Sequence, residues 1–346
     1  MLFSNRGNDL GADVFRTKRT IQRLIMISVV SVLAMGGIGQ SLAQSLAQPP
    51  PSETTAGPVQ TVDVVSNRAG PLVWTVENET SRLYLISDIS PVPAAAKWDE
   101  ARVARLVGEA KTVILPHRAR GGLPELLRIL TIERSVVFLP GKTQLNDTLS
   151  PEDRTRLAAA IEKARGKPKD FEKLRPGFAG VMLTSRFIKS FDLNEGTDPE
   201  AFVEKTARKS RKKIVRIGDL PLLPLVKALG KSPPETQIAC LRHSISVVER
   251  GPDEPREAAM RWARGQLPRK DPTVTDAAVR NCFGNIALFR DLSTRMDGDW
   301  RKQAAKAMST PGVTLMVVPA HELISAQGLL DYLDHAGHTI RGVNWR

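Results

Sequence analysis

Cysteine is nearly absent. Two residues, Cys240 and Cys282, stand in a chain of 346, which excludes a disulfide-dense scaffold and a four-cysteine zinc module and allows one bridge at most. Aromatic residues make up 5%, and none interleaves with the densest run of positive charge, so the stacking platform that single-stranded nucleic acid requires is missing. After the first 38 residues no stretch is long and apolar enough to cross a bilayer. What the chain does have is 41% hydrophobic and 25% charged residues, sufficient to bury a full core in one or two domains. Its 50 Lys and Arg outnumber 37 Asp and Glu, a formal charge of +13, which favours anionic partners.

The first segment reads as an address. Arg16, Lys18, Arg19 and Arg23 precede the uncharged 15-residue run Leu24 to Ile38, and Ser41-Leu42-Ala43 follows. This is the basic, apolar and small-x-Ala order of a secretory signal peptide. Residues 1–43 are expected to be removed, with a second Ser-Leu-Ala at 45–47 allowing a cut at 43 or 47; an uncleaved anchor is the alternative. The expected product is periplasmic or otherwise exported and has no membrane span. Export makes a Cys240–Cys282 disulfide possible, against two separately buried thiols. Residues 48–70, with Pro49-Pro50-Pro51 and many Ser and Thr, read as an extended linker.

From residue 71 to 346 the patterning is α/β. Leu72–Val76 and Arg82–Ile86 flank Glu77-Asn78-Glu79-Thr80 as a hairpin, a helical period runs over Trp98–Ala110, and Thr112–Leu115 is a short buried strand. Ser150-Pro151-Glu152-Asp153 opens a helix with an N-cap, a first-turn proline and acids against the dipole. Further helices are expected over Pro176–Phe191, Asp198–Lys209, Pro234–Val248, Glu254–Arg264 and Thr275–Leu292, with a strand at Lys213–Ile217. The chain closes with a strand at Val313–Val318, a helix at Gly328–His335 and a strand at Thr339–Val343. The expected fold is a central mixed β-sheet with flanking helices and a helical middle insertion.

Particular residues then become specific. Pro71-Leu72-Val73-Trp74, followed by Tyr84-Leu85-Ile86-Ser87-Asp88-Ile89-Ser90, resembles the P-L-x-W strand and Y-L-x-G-T-x-H segment that open the TraB/GumN family. Gly196-Thr197-Asp198, Trp262-Ala263-Arg264-Gly265, Arg280-Asn281, Gly328-Leu329-Leu330 and Gly337-His338-Thr339-Ile340 resemble further family elements in the same order. The resemblance implies the fold expected above and a metal-dependent hydrolase or protease of the Tiki type, with two G-x-x-H motifs and acidic residues forming the site.

The family's ligand positions are where this chain departs. Ser87 and Ser90 stand where the resemblance places Gly and His; Pro116 and Gly218 stand where it places glutamates. Pro319-Ala320-His321-Glu322 replaces the second G-x-x-H, with Glu322 at the histidine and His321 one residue early. A catalytic zinc takes about three His, Asp or Glu ligands, and Ser, Pro and Gly side chains do not supply them. The expectation is a family scaffold with a degenerate metal site and no cofactor, acting by binding or regulation. The alternative is a zinc or manganese hydrolase rebuilt from neighbours, chiefly Asp88, His321 and Glu322, with His117 and Asp219 also near. No G-x-S-x-G elbow supports Ser90 as a nucleophile. The run Lys205, Arg208, Lys209, Arg211, Lys212, Lys213 and Arg216 is either a solvated helix end or an anion-facing patch for anionic lipid or wall polymer; nucleic acid is not an expected partner.

Overall fold

The computed structural model describes residues 70–267, 284 and 286–345. The expected signal peptide, all of the linker but Gly70, the Arg280-Asn281 pair, Cys282 and most of the Thr275–Leu292 helix lie outside the described residues. No helix among those described is long and apolar enough to cross a membrane.

Strands β1 (Val73–Glu77) and β2 (Ser81–Asp88) form the expected antiparallel hairpin, with Thr75 opposite Tyr84. Asn78 closes its turn, the side-chain oxygen accepting from the Thr80 and Ser81 N–H groups at 3.0 and 2.8 Å, an Asx turn. Helix α1 (Glu100–Glu109) is capped by Asp99, which accepts from the Arg102 N–H at 2.8 Å, and buries Val103 and Val107 one turn apart. Strand β3 (Thr112–Leu115) follows, then β4 (Arg118–Arg120) and helices α2 (Leu123–Thr131), α3 (Arg134–Val137), α4 (Pro151–Lys163) and α5 (Pro176–Ser190). Next come α6 (Pro199–Lys209), capped by Asp198, strands β5 (Lys213–Arg216) and β6 (Asp219–Pro221), and helices α7 (Leu222–Lys231), α8 (Pro234–Arg250) and α9 (Asp253–Ala263). The chain ends with α10 (Ala287–Ser309), β7 (Gly312–Pro319), α11 (Ala320–Ile324), α12 (Leu329–His335) and β8 (Thr339–Arg341).

Six strands make one mixed sheet in the order β5-β3-β7-β2-β1-β8. The first four are parallel, and β1 runs antiparallel to both its neighbours. Period-two alternation splits the core in two. Tyr84, Ile86, Val113, Leu115, Leu315 and Val317 face α1, α6 and α9, while Leu83, Leu85, Ile114, Met316 and Val318 face α10 and α12.

The helical insertion has a core of its own, built from residues such as Phe178, Leu183, Phe187, Leu241, Ile245 and Val248. It is reached twice from the same sheet edge. Leu115 pairs with Arg216 in the β3–β5 ladder and Arg118 with Asp219 in β4–β6, an unchanged offset. The small parallel pair β4–β6 is therefore the in-register continuation of β3–β5, interrupted at Pro116-His117 and Ile217-Gly218, and it carries the chain out to the insertion on both passes.

The expected elements that fall within the described residues are present, with ends shifted by a few residues. Three features differ from the sequence reading. Helices α2, α3, α7 and α11 and strands β4 and β6 had no expected counterpart. Helix α10 continues through Ser309 instead of ending near Leu292, and β8 stops at Arg341.

Candidate functional site

In open α/β sheets, ligands bind beyond the carboxyl ends of the parallel strands. The positions singled out in the sequence gather at that edge. Ser87 pairs with Val318 and Asp88 with Pro319 at the ends of β2 and β7. His117 follows β3, and Gly218 and Asp219 follow β5. His321 and Glu322 lie on α11, a single helical turn entered directly from β7, so strand parity does not govern where they point.

Several positions that the family resemblance assigns to a metal ligand or its motif have another occupation. Ser87 is fully buried, and its Oγ accepts a hydrogen bond from Trp262 Nε1 at 2.9 Å. Ser90 precedes Pro91 in the segment after β2. Pro116 is buried after β3, its carbonyl accepting from Arg216 at 3.4 Å. At Gly218 a Cβ would lie 2.9 Å from His117 Cδ2 and 3.4 Å from Nε2. The imidazole of His117, 4% exposed, thus fills the space into which a side chain at 218 would project. It packs edge-on against Trp300, ring centroids 6.0 Å apart, and its Nε2 lies 3.2 Å from Asp299 Oδ2.

Beside this, His321 Nε2 and Glu322 Oε1 are 3.0 Å apart. Glu322 also faces Asp297 from α10. Burial, followed by the hydrogen bond and repulsion of the Glu322 carboxylate, pushes Asp297 up to about 6, against the pull of Arg301 and His321. Asp297, Trp300, Arg301, Glu322 and the chain from Ser325 to Leu329 line a partly open cavity of about 130 Å³. The α10 residues of this site were not legible because the sequence reading ended that helix before them; the signal was Asp297, Asp299, Trp300 and Arg301, polar and aromatic groups packed into five positions.

Among the described residues, no group of three His, Cys, Asp or Glu side chains is placed to hold a metal ion. Asp219 is turned to Arg120 and Arg118, at 2.9 and 3.8 Å. Of the ligand positions, occupied here by Ser90, Pro116, Gly218 and Glu322, only Glu322 carries a His, Asp or Glu side chain, so this donor set does not fit the family's metal.

The basic run is divided. Arg216 is directed inward, pairing with Glu200 at 2.6 Å and with Glu204. Burial raises Glu200 despite this partner, whereas Glu204 is held below the ordinary range, the pull of Arg208 and Arg216 exceeding the opposing effect of burial. Arg208 also pairs with Glu204, and Lys212 donates to the Gly108 carbonyl. Lys205, Lys209, Arg211 and Lys213 are exposed. They lie around the end of α6 and the start of β5, at the amino edge of the sheet and opposite the cavity.

Cys240 is buried on α8 and carries no free thiol; its expected partner Cys282 lies outside the described residues. His335 Nδ1 donates to the Asp331 carbonyl, 2.7 Å away in the last turn of α12, and partial burial lowers His243. No curated protein and no solved structure matches the chain. The TraB/PrgY/gumN family model matches residues 72–342, the span that carries both faces of the sheet, the helical insertion and the strand-end site. The chain belongs to the TraB/PrgY/gumN family.

Proposed function

We propose that this is an exported, periplasmic protein of the family that acts by binding an envelope ligand or partner, its metal-dependent hydrolase site having been lost. The observation that carries this reading is the Gly218–His117 exchange. Where the resemblance places a glutamate, a glycine leaves room for an imidazole from the neighbouring strand end, which is itself engaged by Trp300 and Asp299. Loss of a ligand alone would leave a gap; here the gap is packed, which supports a metal-free reading of the site. The absence of a free thiol at Cys240 agrees with an oxidising compartment.

Metal content tests the proposal. The full chain, purified without chelator and then offered zinc or manganese with the excess removed, is expected to hold far less than one equivalent by elemental analysis. Near-stoichiometric metal that disappears in His321→Ala or Glu322→Ala would overturn the reading and establish the rebuilt hydrolase site instead.

A further inference from the structure

The amino edge of the sheet carries cations that the fold does not use. The acids beside them are engaged. Glu204 pairs with Arg208 and Arg216, Glu200 pairs with Arg216, and Glu109 accepts from the Tyr84 hydroxyl at 2.6 Å. Lys212 donates to the Gly108 carbonyl at the end of α1, the usual service of a cation to a helix carboxyl end. Lys111, Lys205, Lys209, Arg211 and Lys213 do none of this. All five are exposed, and among the described residues none of their side chains makes an ion pair or a hydrogen bond. Their placement is collective. Lys205 and Lys209 are one turn apart on α6, Arg211 follows that helix, and Lys213 opens β5. The Lys213 N–H bonds to the Lys111 carbonyl at 3.4 Å, and a Cβ at Gly312, which opens β7, would lie 3.2 Å from Lys111 Nζ. The charges therefore run across the starts of three adjacent strands, β5, β3 and β7. They also straddle the sheet: strand parity puts Lys213 on the face of Val215, toward α10, whereas α6 packs on the opposite face.

We propose that this edge docks on an anionic phospholipid bilayer, with the strands roughly along the membrane normal and the strand-end site facing away from the lipid. The proposal names an envelope partner for the binding reading and rests on the export in that reading. Distribution carries the first part of the argument. Charges spread over three strand starts and both faces of the sheet meet a plane of separate phosphates together, whereas one compact anion reaches only some of them. Chemistry carries the second. The exposed large hydrophobic residues among those described are Leu127, Ile132 and Val343, in the helical insertion and after β8, so no large apolar side chain stands at this edge to insert between acyl chains. The contact is electrostatic, each Lys or Arg near an anionic surface being worth roughly fivefold in binding, and the attraction decays over about 8 Å at physiological salt.

Vesicle co-sedimentation of the secreted, processed chain, which lacks the apolar run of residues 24–38, decides the matter. Phosphatidylcholine vesicles with phosphatidylglycerol as about one lipid in three are expected to bind it at least tenfold more tightly than phosphatidylcholine alone, and the difference should vanish at about 0.5 M salt. Lys209→Glu with Lys213→Glu should weaken binding at least tenfold. Lys142→Glu with Lys169→Glu, an equal change of net charge at exposed lysines of the helical insertion, should leave it within about twofold. Equal binding to the two kinds of vesicle, or equal loss in the two double variants, would overturn the proposal. Displacement by micromolar tripolyphosphate would overturn it too, assigning the edge to a soluble polyphosphate; displacement only at millimolar concentration is expected. The lipid and salt comparisons need no variant and stand even where a substitution unfolds the chain. Failure of the export reading is seen separately, by mass: a chain recovered only unprocessed from the cytoplasm removes that reading and this inference with it, whereas a processed chain indifferent to phosphatidylglycerol removes this inference alone.

Discussion

Restoring a side chain at position 218 tests whether that glycine and His117 are one exchange. In Gly218→Ala the new methyl would sit 2.9 Å from His117 Cδ2, closer than carbon atoms approach in packed interiors, and Gly218 is not among the residues with positive φ, so backbone strain does not enter. The cost is that of overpacking, about 1–3 kcal/mol. His117→Ala removes the edge-on contact with Trp300, about 0.5–1.5 kcal/mol, together with one bond to the half-exposed Asp299, about 1 kcal/mol or less, and should destabilise by about 2 kcal/mol. In the double variant the methyl enters the space that the ring has left, so its cost beyond His117→Ala alone falls to near zero. Urea unfolding of the four proteins should therefore give a coupling energy of about 1–3 kcal/mol, the whole cost of the methyl. Additivity to within about 0.5 kcal/mol would refute the argument, because it would mean that the ring does not occupy the place of the missing side chain.

Other perturbations probe the surroundings. Asp297 titrates near 6 in the folded chain against about 3.9 unfolded, so the folded form binds the extra proton and stability falls as pH rises between those values. The shift sets a ceiling of about 3 kcal/mol, which solvent screening at this partly open site reduces to about 1 kcal/mol; Asp297→Asn should recover that at pH 8 and nothing at pH 4, and an equal gain at both would refute the assignment. Arg216→Met strands Glu200, 21% exposed, and leaves Glu204 with Arg208 alone, and should cost about 3 kcal/mol in chemical denaturation, whereas Lys209→Glu should change stability by less than about 0.5 kcal/mol; equal effects would mean that Arg216 belongs to the surface patch after all. Thiol labelling of the denatured, unreduced chain should find no free cysteine, and reduction should lower stability by up to about 4 kcal/mol; two reactive thiols would refute the Cys240–Cys282 bridge.

What the sequence displayed follows from how local each signal is. The β1–β2 hairpin, α1, α4 and α6 were legible because their stop and start signals are side chains acting on their own backbone: Asn78 in its turn, Asp99, Ser150 and Asp198 at their caps. Helix α10 was not, since only Trp300, Ala304, Ala307 and Met308 of its 23 residues are buried, and two alanines make a faint apolar stripe. Strands β4 and β6 have no β-pattern of their own; they form because the β3–β5 register continues past the break. The same distinction governs the site. That Ser, Pro and Gly stand at ligand positions can be read from the chain, but what replaces the ligands cannot, because Gly218 meets His117 and Asp297 meets Glu322 only when distant segments are folded together. A glycine in a sequence reports a missing side chain. The imidazole lying 2.9 Å from its absent Cβ indicates that the rest of the fold has adjusted to that loss, which is why restoring the side chain should now destabilise the protein.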